Sequence, residues 1–281
     1  MIRIIADTTA GLPPEYTRAH NIPVLPQIVT FGDQSYRDDT ELDMPAFLQK
    51  LCTSTQMPKT AAPPPSLYTP IYEEILAAGD TVLVIAPTSL ASGTMRSALT
   101  AAQDFPCAGI HVLDTRSVAG PLGVMVRLAA DWAEAGETLE TILERLQGLM
   151  VRQRFYLLVD TLEFLHRGGR IGGAAHLFGS LLQVKPLLAL RDGRVEAHSQ
   201  QRTKRRAVEC LQQIVLAECA PGKEGHLCVM HTGVEAEAHA LAEYFCASLD
   251  LPAVPIYGVP ASAAVHAGPG ALAAGFFTRE G

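Results

Sequence analysis

Charge, aromatic rings and paired cysteines are all scarce in this chain of 281 residues. Charged side chains make up 18% and leave a formal net charge of −7. That balance argues against a nucleic-acid binder, because neutralising phosphates calls for a basic face. The six cysteines, Cys52, Cys107, Cys210, Cys219, Cys228 and Cys246, contain no C-x-x-C pair. They lie mostly in apolar segments and read as small, reduced core residues. The nine histidines, His166, His176, His226 and His231 among them, show no H-E-x-x-H or other ligand spacing, so no metal site is expected. No run of about 18 apolar residues appears, and no basic region precedes an apolar stretch at the start; membrane spanning and export are both unexpected, and the expected compartment is the cytoplasm. Neither G-x-x-x-x-G-K-[ST] nor G-x-G-x-x-G occurs, so nucleotide binding lacks its usual signature. What the chain has is an aliphatic core: 48% of residues are hydrophobic and only 6% aromatic, a globular composition built on Ala, Val, Leu and Ile.

The length favours two domains over one. The first half alternates short apolar runs with helical patterns, the sign of a parallel sheet covered by helices on both faces. Ile2 to Ala6, Val24 to Thr30, Val82 to Ala86 and Ile110 to Leu113 are the expected strands. Asp43 with Pro45 starts a helix, Ser66 is expected to cap a second through Ile71 and Ile75, and Gly93 to Gln103 reads as a third. Ala119 to Ala135 and Leu139 to Val151 give two helices in succession around Gly136, so the alternation lapses near residue 150. Residues 1–152 are therefore expected to form an N-terminal α/β/α domain with a mainly parallel sheet. Residues 153–281 form a C-terminal α/β domain with a mixed or antiparallel sheet: Pro186 to Leu190 and Val195 to Ser199 flank an Asp192-Gly193 turn, a strong hairpin signal. Phe155 to Val159 and Leu227 to Met230 are its other strands, and Lys204 to Ala217 and Val234 to Ser248 its helices. Pro58 to Pro65 is a stiff, Pro-rich loop.

Ligands of open parallel sheets gather at the loops beyond the carboxyl ends of the strands. Four such loops are rich in short hydroxyl residues and glycine: Asp7 to Gly11, the Thr60 loop, Thr88 to Thr94 and Asp114 to Gly123. Hydroxyls together with the unpaired amides of a helix start bind an anion without a full positive charge. Any one of these loops alone reads equally well as a helix cap or turn; four together point to a carboxylate or phosphate. The second half adds Gly168-Gly169-Arg170-Ile171, Arg202 ahead of Lys204, Arg205 and Arg206, and the tail segment Val265 to Gly270. Glycines beside Arg170 and His266 permit close backbone approach, so both side chains can reach one cleft. A packed histidine and a solvated basic helix start are the plainer readings.

In order along the chain, these segments resemble the motifs of the DegV family, which includes the fatty-acid-binding subunits (FakB) of bacterial fatty acid kinase. Asp7 to Pro13 resembles D-[ST]-x-x-[DG]-L-P, Pro58-Lys59-Thr60 the start of P-x-T-S-Q-P-S, and Ala91 to Thr94 the L-S-G-T motif. Asp114 to Ser117 resembles D-[ST]-x-x, Leu165 to Ile171 L-x-x-G-G-R-I, Arg202-Thr203 the R-T pair, and His266 to Gly270 H-x-G-P-G. The resemblance covers essentially the whole chain. It implies a two-domain fold with a long-chain fatty acid between the domains, its carboxylate held by Thr60, Ser92, the Gly93 amide and His266. Asp7, Thr8, Thr94, Asp114, Ser117, Gly169 and Gly268 would support those loops. Arg170 and Arg202 would form the rim where a partner kinase docks; the kinase, not this chain, would supply ATP and make the acyl phosphate. No cofactor is implied, and a lipid that co-purifies is expected, since tail burial contributes roughly 0.8 kcal/mol per CH₂. Ala61 and Ala62 stand in place of the motif's Ser-Gln, and Ala91 in place of its Leu. Two other readings are a sensor whose lipid is structural filler and a hydrolase built on Ser92, His266 and Asp7 or Asp114, although Ser92 is not in a G-x-S-x-G elbow.

Overall fold

The computed structural model describes residues 1–107, 109–179 and 184–279. The chain runs β1 (Ile2–Asp7), α1 (Pro14–Ala19), β2 (Val24–Leu25), β3 (Ile28–Phe31), β4 (Gln34–Arg37), α2 (Met44–Thr53), β5 (Lys59–Ala61), α3 (Pro65–Ala77), β6 (Thr81–Ala86), α4 (Thr94–Ala102) and β7 (Ile110–Asp114). Two successive helices, α5 (Ala119–Glu134) and α6 (Leu139–Arg152), lead into β8 (Gln153–Leu158), α7 (Glu163–Arg167), β9 (Lys185–Arg191), β10 (Arg194–Gln201) and α8 (Lys204–Glu218). The remainder is β11 (Cys228–His231), α9 (Glu235–Leu249), β12 (Ile256–Gly258), α10 (Ala261–Ala267) and β13 (Leu272–Phe277). Among the described residues these strands make a parallel sheet in the order β2-β1-β6-β7, a mixed sheet in the order β10-β9-β8-β13-β11-β12, and a small antiparallel sheet β4-β3-β5. The expected two-domain α/β architecture is the one observed.

The parallel sheet is buried on both faces because the central residues of its strands are aliphatic on both sides. Ile4, Leu83 and Ile85 pack with Met125 and Leu146 of α5 and α6. Their neighbours Ile5, Val82 and Val84 point the other way, onto Tyr68, Tyr72 and Ala98 of α3 and α4. Each fully buried Ile, Leu or Val contributes roughly 1.5–3 kcal/mol, which makes this double layer the rigid base of the loops above it. In the mixed sheet one face carries Leu158, Leu187, Val229 and Phe276 against α8 and α9. The alternate residues Leu157, Met230 and Ala273 face the other way, toward Ala119 at the start of α5.

Two expectations are corrected, and one strand is added that the sequence reading did not include. The run Val24 to Thr30 is not one strand: it breaks after Leu25 at Pro26, which has no N–H for a ladder, so β2 pairs with β1 while β3 turns away into the small sheet. Ser66 is not a cap; Pro64 holds that position and the helix opens on Pro65, with Ser66 inside its first turn. The apolar segment Leu272–Phe277 forms β13, a central strand that pairs antiparallel with both β8 and β11.

The Asp192-Gly193 turn joins β9 and β10 as expected, both residues at positive φ. Its tip also bridges the two halves: the Thr88 hydroxyl donates to Gly193 O at 3.0 Å. A Cβ on Gly193 would lie 2.3 Å from that hydroxyl, in a backbone conformation with φ +80°. Gly193→Ala is therefore expected to cost about 1–3 kcal/mol in urea unfolding, whereas Asp192→Gly, which keeps the turn, stays within about 0.5 kcal/mol of the parent.

Candidate functional site

A cavity of about 340 Å³ lies between the loops that follow β1 and β6 and the inner face of the mixed sheet. Phe155, Leu157, Leu188, Leu190, Met230 and Ala273 make its apolar walls. Thr9, Gln27, Thr60, Ser92, Ser262 and His266 form the centre of its polar wall, with Arg170, Arg194, His231 and Thr232 also lining the cavity.

Each polar group is placed by a specific local structure. After β6 the N–H groups of Ala91 and Ser92 both bond to Thr88 O, at 3.1 and 3.0 Å, a tight turn that delivers Ser92 just ahead of α4. Ser92 Oγ accepts the Thr94 N–H at 3.3 Å and lies 3.0 Å from Thr94 Oγ1. The Thr94 hydroxyl donates in turn to Asp7 Oδ2. Gln27 Nε2 donates to the same Asp7 oxygen at 2.7 Å and to Thr94 Oγ1 at 3.0 Å. Thr9 closes the shell around Asp7 through its N–H and hydroxyl. The Gln27 N–H, freed from any ladder by Pro26, donates to Asp38 Oδ1 at 2.9 Å, and Asp38 also accepts from Thr8 at 2.8 Å and from Ser262 at 2.5 Å. Burial raises the carboxyl pKa of both Asp7 and Asp38, against the pull of these donors.

Ser262 and His266 stand one turn apart on α10. His266 Nε2 lies 3.1 Å from Thr60 Oγ1, whereas Nδ1 has no hydrogen-bond partner among the described residues. Gly168 packs over that nitrogen so closely that a Cβ there would sit 2.2 Å away. Arg170 spans from this side to the Ser92 loop, donating from Nη1 to Gly168 O at 2.7 Å and from Nε to Ala91 O at 3.0 Å.

Thr60, Ser92, Gly93, His266, Gly169 and Arg170 thus meet around one cavity. Asp7, Thr8 and Thr94 stand one layer behind it. Asp114 and Ser117 lie elsewhere: Asp114 accepts from the Ser89 N–H and hydroxyl and pairs with Arg116, while Ser117 is buried and its hydroxyl has no partner among the described residues. Gly268, at φ +77°, turns the chain after α10 against Phe164. Arg202 is exposed and does not line the cavity; its neighbour Thr203 caps α8. Ser92 and His266 are not joined by a hydrogen bond. Sequence reasoning missed Thr9, Gln27, Asp38 and Ser262. Ser262 had a usable signal, its spacing of four from His266 on a helix; Gln27 had none.

Burial, with Arg170 adding a nearby positive charge, lowers the His266 pKa from 6.5 to about 4. The imidazole is neutral at pH 7. Because the unfolded histidine binds its proton near pH 6.5 and the folded one only near pH 4, this group withdraws stability as pH falls through that window and nothing above it. Ring signals of His266 in a ¹⁵N NMR titration are expected to stay neutral to pH 5. His266→Gln should lose less unfolding free energy than the parent between pH 6.5 and pH 4, by at most about 1.4 kcal/mol per pH unit.

The comparisons with known proteins agree with this architecture. The DegV family model, described as "uncharacterised protein, DegV family", matches residues 1–279. A DegV domain-containing protein of Streptomyces coelicolor is 34% identical over 273 residues, covering 96% of each chain. A solved structure of a DegV family protein from Thermus thermophilus, reported for its fatty acid binding, superposes with a TM-score of 0.91 at 32% identity over 99% of both chains. DegV of Bacillus subtilis, described as a fatty acid binding protein, gives a TM-score of 0.85 at 29% identity, again over 99% of both. With matched motifs, a matched family model and a shared fold along its whole length, the chain belongs to the DegV family.

Proposed function

We propose that this chain sequesters one long-chain fatty acid in the cavity and presents it to a partner fatty acid kinase, without catalysing a reaction itself. The observation that carries this reading is the division of a single cavity into an aliphatic part and a hydroxyl-rich wall. An acid head group meets the Thr60 and Ser92 hydroxyls, the Gly93 N–H at the start of α4 and, through Thr60, the neutral His266. The hydrocarbon tail lies against Phe155, Leu157, Leu188 and Met230. At roughly 0.8 kcal/mol per CH₂, a tail of long-chain length brings enough apolar burial to hold the lipid through purification. The relatives from Thermus thermophilus and Bacillus subtilis, both described as binding fatty acid, support the ligand class.

The kinase half of the proposal rests on the edge of the cavity. Arg170 lines the cavity and an adjoining surface depression formed by the Ser89 to Gln103 segment, so a partner seated there stands directly over the Ser92 turn. Arg202 is exposed and free of hydrogen bonds and ion pairs among the described residues, as a docking side chain should be. The partner brings the nucleotide, and the chain works with it in the cytoplasm.

Mass spectrometry of an organic extract of the purified protein is expected to find about one long-chain acid per chain; protein that carries none, and takes up none when offered it, would sink the proposal. Thr60→Ala and Ser92→Ala should each weaken retention roughly tenfold, the loss of one hydrogen bond to the head group. Arg202→Ala is expected to keep its lipid yet abolish acyl-phosphate formation by an added fatty acid kinase and ATP. Turnover equal to the parent's would remove Arg202 from the docking face.

A further inference from the structure

Gln27 is 4% exposed, lines the cavity, and has its amide nitrogen fully committed. One hydrogen goes to Asp7 and the other to Thr94, while the side-chain oxygen has no partner among the described residues. The amide has only one sensible orientation, because a flip would set its oxygen against the carboxylate oxygen of Asp7. Gln27 therefore brings an acceptor, not a donor, to the polar wall. A carboxylate has no hydrogen to give to it.

The surrounding charges point the same way. Asp7 reaches Ser92 through Thr94, and Asp38 bonds to Ser262, so two buried carboxyl groups back the wall on which the head group rests. Their hydrogen-bond partners are hydroxyls and amides, with no cation among them. Among the described residues no other titratable group around the wall forms an ion pair with either acid. Tyr68 of α3 is an un-ionised phenol with no partner among the described residues, and His266 of α10 and the half-buried His231 of β11 are imidazoles whose pKa is lowered. Arg170, a cation that lines the cavity, bonds to two carbonyls and to neither acid; Arg194, which also lines it, is exposed at the hairpin tip, and Arg96 is exposed on α4. A third carboxylate beside Asp7 and Asp38 would repeat the like-charge problem that makes one of two adjacent acids keep its proton.

Resting on the fatty-acid reading above, we infer that the cavity takes its acid in the neutral form: the acid O–H donates to Gln27 Oε1, and its carbonyl oxygen accepts from Ser92, Thr60 or the Gly93 amide. An acid ionised in neutral water draws one proton from the buffer as it binds and returns it on release. The site is thereby suited to head groups that are uncharged and carry both a donor and an acceptor, which includes primary amides as well as acids.

Titration calorimetry in two buffers of different protonation enthalpy, with hexadecanoic acid, hexadecanamide and methyl hexadecanoate kept monomeric in cyclodextrin, tests this. The expected result is uptake of about one proton per acid, and an affinity for the acid that falls about tenfold per pH unit above neutrality. The amide should bind with no proton uptake and no pH dependence, and the methyl ester, which leaves Gln27 unpaired, roughly tenfold or more weaker than the amide. In His266→Gln the uptake per bound acid should persist. Acid binding without proton uptake, an amide no tighter than the ester, or uptake lost in His266→Gln while the acid still binds would each overturn the inference and leave fatty acid binding intact. If none of the three compounds binds, the fatty-acid reading falls with it.

Discussion

A carboxyl group at the end of β1 that water does not reach dictates what its neighbours must be. Asp7 is fully buried, and a buried acid without donors would be unfoldable at several kcal/mol. Thr9, Thr94 and Gln27 supply those donors, and each brings a different piece of the chain to one point. Thr94 fixes the start of α4 and with it the Ser92 turn. Gln27 is available only because Pro26 ends β2, and its backbone N–H recruits Asp38 from the end of β4. Asp38 then binds Ser262 and so holds α10, the helix that also carries His266. The polar wall of the cavity is the visible surface of this network, and its precision follows from the cost of leaving any member unpaired.

The apolar half obeys a different constraint, that of close packing between rigid layers. The start of α5 presses against the mixed sheet so tightly that a Cβ on Gly120 would come 2.4 Å from Cys228 Sγ, and one on Gly275 would come 2.6 Å from Pro121. That contact sets the separation of the layers on one side. On the other, the Gly172 backbone rests on Val195 of β10 with no room for a side chain. Between the two contacts the inner face of the sheet carries small residues, Ala271 and Ala273, where large ones would fill the gap. The cavity is thus space held open by contacts that cannot close.

How much of this was legible in the sequence depended on whether a residue's role is local. Strands β1, β6 and β7, helices α5, α6, α8 and α9 and the β9-β10 hairpin follow from runs of aliphatic residues, helical spacing and the Asp192-Gly193 pair, and all were read close to their limits. β13 was not, because Ala273, Ala274 and Gly275 are weak strand formers on their own; the segment is a strand because β8 and β11 offer it ladders on both sides. Thr60, Ser92, Gly93 and His266 stood out through motif resemblance before any geometry was known. Gln27 and Asp38 did not, since nothing in their spacing foretells their meeting beside Asp7, and Ser262 had only its spacing of four from His266. Arg202 read as a companion of Arg170, yet only Arg170 lines the cavity.

The places where this chain departs from the motifs of its family are all alanines, and they lie beside the head-group wall rather than within its hydrogen-bond network. Ala91 contributes its carbonyl to Arg170 and its N–H to the turn before α4, both backbone functions that tolerate any side chain. Ala62 packs where Gly93 makes its closest approach, 3.3 Å from the position of a Cβ on that glycine. A larger residue at 62 would press on the turn that presents Ser92, while a larger one at 91 would occupy space at the mouth shared with Leu90, which is 45% exposed. Ala61 and Ala62 bring no side-chain donor where the motif has Ser-Gln, so the polar wall of this chain is made by the other residues described above. Gln27, Thr60 and Ser92 face the cavity from its polar wall, and the residues of the mixed sheet line its far side.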